Sequence, residues 1–220
     1  MDVTDEQSVK RAVESVIEAE GRIDILVNNA GINICGPVEE TPEEEARRAF
    51  ETNYFGLLRV IRAVLPGMRE LGGGIIANVG SAAGKITIPF QCHYCASKHA
   101  VEALSEALWH EVRGFGIRVM LFEPGDVGTE IWQNTEKPSA GKSPYTRLLE
   151  TFYEVKGKEM DAGRATSPEK VAAEIADTLV SDTQRLRHPV AHMAGMFMFL
   201  RKILPDGIFL KAVGKNYKTC

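Results

Sequence analysis

Apolar positions along the chain switch between two periods. Val9, Val13, Val16 and Ile17 recur at helical spacing behind Thr4–Gln7, which reads as a capping box, and Gly21 is placed to end that helix. "IDILVN" (23–28) is then a continuous apolar run closed by Asn and Gly, as suits a buried parallel strand. Thr41-Pro42-Glu43-Glu44 combines a cap, a first-turn proline and an acidic third position. That start predicts a helix to about Leu71, bent near Pro66. "GGGIIANVG" (72–80) reads as a loop and a strand, and a helix follows from about Phe90 to Arg113. "IRVMLFEPG" (117–125) reads as a strand that stops at Pro124. Ser167-Pro168-Glu169 opens a helix to about Val180, and the tail from Met193 is helical and apolar with interspersed Lys and Arg.

Strands alternate with helices across short loops, which is the α/β pattern of a parallel sheet covered on both faces. Ligands in such sheets sit beyond the carboxyl ends of the strands. Chemistry-bearing stretches fall there: "NNAG" after the first strand, "GSAAG" after the second and "PGDVGT" after the third. Gly72-Gly73-Gly74 lacks the Lys-Ser/Thr of a phosphate loop and reads as a connector.

With 220 residues, 44% hydrophobic and 25% charged, the chain fits one soluble globular domain. Its net charge of −4 argues against nucleic acid as the main partner. No uncharged apolar run approaches the roughly 18 residues of a membrane span. The opening Met1-Asp2-Val3-Thr4-Asp5 lacks the basic-then-apolar order of a secretory leader, so a cytoplasmic location is expected. Cys92 and Cys95 form a C-x-x-C, but zinc would want a second such pair or paired histidines, and neither is present. No metal is expected, and of the four cysteines, Cys35, Cys92, Cys95 and Cys220, the pair Cys92 and Cys95 reads as small thiols of a reducing, intracellular protein.

The residues that carry chemistry are Asn28-Asn29-Ala30-Gly31, Asn53, Ser81, Tyr94-x-x-x-Lys98 and Pro124-Gly125, in that order. Tyr94 and Lys98 stand one helical turn apart, and Ser81 precedes Tyr94 by thirteen residues. Taken singly each has a plain structural role: a helix cap for Asn53, a turn for Ser81, strand-end turns for Asn28 and Asn29. Together, over nearly the whole chain, they resemble the short-chain dehydrogenase/reductase family, more loosely its members acting on steroids and retinoids.

The resemblance implies a Rossmann-like, doubly wound parallel α/β sheet and an oxidoreductase that interconverts an alcohol and a ketone or aldehyde with NAD or NADP. It makes Asn53, Ser81, Tyr94 and Lys98 the catalytic set. A phenol with a free pKa of about 10 is a poor base at neutral pH, and the Lys98 ammonium is expected to lower it. Ser81 would hold the substrate oxygen, and Asn53 a water linking the lysine to solvent. The implied cofactor contacts are Asp2 and Val3 near the adenine, Asn28, Ala30 and Gly31 along the adenosine, Tyr94 and Lys98 at the nicotinamide ribose, and Pro124, Gly125, Val127 and Thr129 at the carboxamide. The family's opening strands and T-G-x-x-x-G-x-G loop do not occur in these 220 residues. The expectation is therefore a single incomplete domain over 1–220 with a bare edge at "IDILVN" and weak cofactor binding by the chain as written. The choice between NAD and NADP lies in the absent part.

Residues 130–165 are expected to form the substrate loop and helix, and 190–220 a C-terminal extension. Trp132, Tyr145, Leu148, Leu149, Phe152 and Tyr153 give that region a bulky apolar side, which suits either an apolar substrate or the core. The tail can be a substrate lid, a dimer contact or, with Arg201, Lys202, Lys211, Lys215 and Lys218, a membrane-surface contact. The resemblance also implies a homodimer or tetramer. Two alternatives stay open: an inactive fragment or non-catalytic binding protein, and an epimerase or dehydratase using the same Tyr and Lys.

Overall fold

Alternation along the longest strand sets the architecture. In β3 (Ile117–Pro124), Ile117, Val119 and Leu121 pack to one side of the sheet, and Met120 and Phe122 to the other. A strand apolar on both faces must be covered on both. The structure is a computed structural model and describes residues 1–129, 135, 143–161, 165–191 and 193–219. Four parallel strands, β1 (Ile25–Asn28), β2 (Gly74–Val79), β3 and β4 (Arg187–Val190), lie in sequence order across the sheet. Asn28 aligns with Asn78, and Val79 with Phe122, so the strand ends share one rim.

One face carries α1 (Glu6–Glu20), α3 (Leu57–Glu70) and α4 (Cys92–Val112), whose Val9, Val60, Ile61, Val64, Val101 and Leu108 pack onto Ile76, Val119 and Leu121. The other carries α6 (Pro168–Leu179), with Val171 and Leu179 against Ala77, Met120 and Phe122. The remaining helices are α2 (Glu43–Phe50), α5 (Thr146–Asp161), α7 (Ala194–Ile203) and α8 (Asp206–Asn216). Gly74 enters β2 at φ +155, where an added Cβ would stand 2.7 Å from the Met68 sulfur. A glycine is required there by both conformation and space.

Several expectations are corrected. Asp5, not Thr4, caps α1: its carboxylate accepts from the Gln7 N–H at 2.8 Å, while Thr4 donates to Asp2. Val16 and Ile17 are exposed, and the strand expected to be buried is a bare edge, with Ile25 43% and Val27 46% exposed. The bare edge itself is as expected. The helix after Thr41 starts behind Pro42, because the Thr41 hydroxyl is spent on the Pro37 carbonyl at 2.8 Å. It is interrupted by a π-helical segment, Glu51–Gly56, and not at Pro66, which lies inside α3. α4 begins at Cys92 because Phe90 sits at φ 62. β4 was not expected: Arg-His-Pro-Val has neither alternation nor an apolar run.

Candidate active site

Beyond the carboxyl ends of β1, β2 and β3 opens a cavity of about 940 Å³. Its floor is polar and comes from strand ends and the first turns of α4; its wall is apolar and comes from α6, α7 and α8. Ser81 follows β2 and caps the short 3₁₀ turn Ala82–Gly84, its hydroxyl accepting from the Ala83 N–H at 3.0 Å. Tyr94 stands in the first turn of α4, where Ser81 is close enough to act on its phenol. One turn on, buried Lys98 donates to the Val79 carbonyl at 2.9 Å, its Nζ 5.9 Å from the centre of the Tyr94 ring. Ser81, Tyr94 and Lys98 all line the cavity.

Burial dominates the electrostatics of this floor. It pushes the Tyr94 phenol up to about 12, against a smaller downward pull from Ser81. It also pushes the Lys98 ammonium down to about 8. The expectation that Lys98 lowers the phenol below its free value is therefore not met in this structure. At neutral pH Tyr94 carries its proton.

Asn53 lies in the π-helical segment, fully buried and outside the cavity lining. Such segments cluster at functional sites. Its amide oxygen accepts from the Ile32 N–H at 2.8 Å, and its amide nitrogen donates to the Ile32 carbonyl at 3.0 Å and the Ser97 hydroxyl at 2.9 Å. Asn53 thus ties the loop after β1 to α4. A Cβ at Gly31 would lie 3.3 Å from its oxygen and 3.7 Å from Lys98 Nζ, so a side chain there would crowd the floor.

Of the expected cofactor contacts, Gly31, Tyr94, Lys98, Pro124, Gly125, Val127 and Thr129 line the cavity. Asp2, Val3, Asn28 and Ala30 do not. Val3 packs against Gly56, and Asp2 accepts from Thr4, which holds its carboxyl below the usual range. Asn28 donates to Asn78 at 2.9 Å, and Asn78 to Ser105 at 3.0 Å, a buried polar chain linking two strands to α4. Trp132 lies outside the described residues. On α5, Phe152 is fully buried against Phe90, Tyr153 and Tyr217, while Tyr145 donates to Glu39 at 2.7 Å. Phe152 is thus core while Leu148 is 37% exposed, and the cavity residues of α5 are Lys156, Glu159 and Met160.

Sequence reasoning missed an ion cluster at the wall. Lys156, buried, is 3.0 Å from Asp126 and 2.9 Å from Glu159, and lies 5.7 Å over the Tyr217 ring. Burial opposes its charge, yet Tyr217, Asp126 and Glu159 hold its pKa above the ordinary value. Beneath the Ser81 loop, buried Glu102 pairs with Lys85 at 2.6 Å and Arg187 at 3.2 Å, and its charge bears on buried Glu123. Three of these partners come from distant segments, so no local spacing announces them. Cys92 and Cys95 are free thiols, pushed up by burial, with no disulfide between them. Among the described residues no group of His, Cys, Asp and Glu could hold a metal ion.

The profile of the family described as short chain dehydrogenase matches residues 1–140. The chain belongs to the short-chain dehydrogenase family. It is 38% identical over 212 residues to an uncharacterized oxidoreductase of Schizosaccharomyces pombe, covering 96% of this chain and 88% of the relative. It is 47% identical over 134 residues to a 3-ketodihydrosphingosine reductase of Bacteroides thetaiotaomicron, covering 61% of this chain and 50% of the relative. Among solved structures, a short chain dehydrogenase of Burkholderia cenocepacia in complex with NADP superimposes with a TM-score of 0.73 at 25% identity, covering 96% of this chain and 75% of that one. Family membership makes this chain one of the oxidoreductases that work with nicotinamide cofactors on small molecules.

Proposed function

We propose that this member interconverts a lipophilic alcohol and its ketone or aldehyde, with Tyr94 as the proton-transfer group. The observation that carries the proposal is the convergence of Ser81, Tyr94 and Lys98 on one cavity whose opposite wall is apolar. Tyr94, protonated at neutral pH, gives its phenolic proton to the oxygen of a carbonyl under reduction, or takes one from an alcohol through the phenolate. Ser81 donates a hydrogen bond to the same oxygen as its charge changes. A bound nicotinamide supplies or takes the hydride, since no side chain can.

Lys98 suits the ribose of such a cofactor: its ammonium lines the cavity and spends one of three donors on the Val79 carbonyl. Gly31 leaves space beside it. Gly125, Val127 and Thr129 would hold the nicotinamide end, and Asn53 keeps the floor in register as a positioning residue. The lipophilic assignment rests on Val171, Ile175, Leu179, Leu200 and Leu204 in the wall and is in line with the 3-ketodihydrosphingosine in the name of the Bacteroides relative. It is tested by supplying NADH or NADPH in large excess and comparing a long-chain with a short-chain ketone. Faster nicotinamide oxidation at low concentrations of the long-chain ketone is expected; equal kcat/KM for the two would reject the lipophilic assignment.

A further inference from the structure

Helices α7 and α8 present two different faces. Inward, Leu200, Leu204, Phe209 and Val213 line the cavity. Outward, Met196, Phe199 and Ile203 follow one another on α7 at spacings of three and four, and Phe199 and Ile203 are 60% and 54% exposed. Across the turn, Ile208 of α8 is 57% exposed. A row of exposed apolar side chains at helical spacing marks an interaction site.

Charge selects the partner. Residues 193–219 hold Arg201, Lys202, Lys211, Lys215 and Lys218 against Asp206 alone, in a chain whose net charge is −4. Lys202 follows Phe199 by three positions, and Lys211 and Lys215 follow Ile208 by three and seven, so cations share the apolar face. Arg201 is tied to Asp206 at 2.6 Å. Helices of ten and eleven residues are too short to cross a bilayer, and no helix among the described residues is long and apolar enough to do so. They suit lying in the plane of its surface. A second copy of the chain would bring two basic patches together, which charge opposes.

We propose that the α7–α8 hairpin docks on anionic phospholipid bilayers, with Phe199, Ile203 and Ile208 at the headgroup boundary and the lysines on acidic headgroups. Delivery of a substrate from the bilayer rests on the catalytic proposal above, whereas the docking does not.

The test is co-sedimentation of the full chain with vesicles of phosphatidylcholine alone or containing phosphatidylserine, read without any turnover. Binding to the anionic vesicles that weakens with salt is expected, and removal of each of Lys202, Lys211 and Lys215 by Gln should weaken it about fivefold. Phe199→Asp should abolish it while circular dichroism stays unchanged. Equal binding to both vesicle types, no binding at low salt, or binding indifferent to Phe199→Asp would overturn the proposal. So would light scattering that finds a dimer dissolved by Phe199→Asp in place of vesicle binding.

Discussion

The floor and the wall of the cavity are held by different forces. On the floor, directional bonds fix atoms: Lys98 to the Val79 carbonyl, Ser81 to the Ala83 N–H, Asn53 to both backbone groups of Ile32 and to Ser97. On the wall, Val171, Ile175, Leu200 and Leu204 are held by packing, which specifies volume and tolerates exchange of one apolar residue for another. Chemistry needs placement and substrate preference needs shape. The contrast teaches that the two can vary independently on one scaffold.

Floor substitutions should therefore cost turnover and wall substitutions should cost affinity. After Tyr94 itself, the largest effect is expected for Lys98→Met, which removes the ammonium from the floor: kcat/KM should fall by about 10²-fold in steady-state assays. A result within threefold of the parent would break the contrast. Asn53→Ala comes next. It strips partners from the Ile32 N–H, the Ile32 carbonyl and Ser97, at a cost of about 1–3 kcal/mol. A fall of roughly 2–10 °C in Tm by calorimetry is expected, together with lower kcat; an unchanged Tm would show that these bonds do not hold the floor.

Leu200→Ala probes the wall. KM for a long-chain ketone should rise about tenfold, from lost apolar contact, with kcat nearly unchanged. A fall in kcat alone would place Leu200 with the floor.

The smallest effect concerns the buried pair beneath the Ser81 loop. Burial, then the neighbouring Glu102 carboxylate, pushes Glu123 up from the ordinary 4.5 to about 8, with Arg187 and Lys85 opposing. The folded chain thus holds a proton that the unfolded chain has released between those values. The stabilisation is complete below about pH 4.5 and is lost as pH rises toward 8. Lys98, pushed down to about 8, acts with the opposite sign and only above that pH. Glu123→Gln should flatten the decline of Tm between pH 5 and about 8 by a few degrees. An unaltered slope would show that Glu123 does not hold this proton in the folded chain.

The same contrast explains what was legible in the sequence. Ser81, Tyr94 and Lys98 could be read because the chemistry demands those residue types at fixed separations, and the structure brings them to one cavity. β3 could be read because it is apolar on both faces. β4 could not, since Arg187-His188-Pro189-Val190 joins the sheet only through its partner β3. The π-helical segment at Asn53 was equally silent: the Asn53 side chain within it bonds Ile32, twenty-one positions away. Asn28 was assigned to the cofactor by its motif, yet its amide points at Asn78. Spacing locates a residue on an element, but its side-chain partner depends on what the fold brings beside it. Lys156, Asp126 and Glu159 show this most plainly, being ordinary surface residues by sequence and an ion cluster around a buried lysine in the fold.

The central claim is that Tyr94 transfers the proton in this cavity. Its most direct test is turnover of a long-chain ketone by the full chain and by Tyr94→Phe, followed through nicotinamide absorbance with cofactor in large excess. A fall of about 10²- to 10⁴-fold in kcat, with Tm and cofactor binding unchanged, is the predicted result. Equal kcat in the two proteins would contradict the claim.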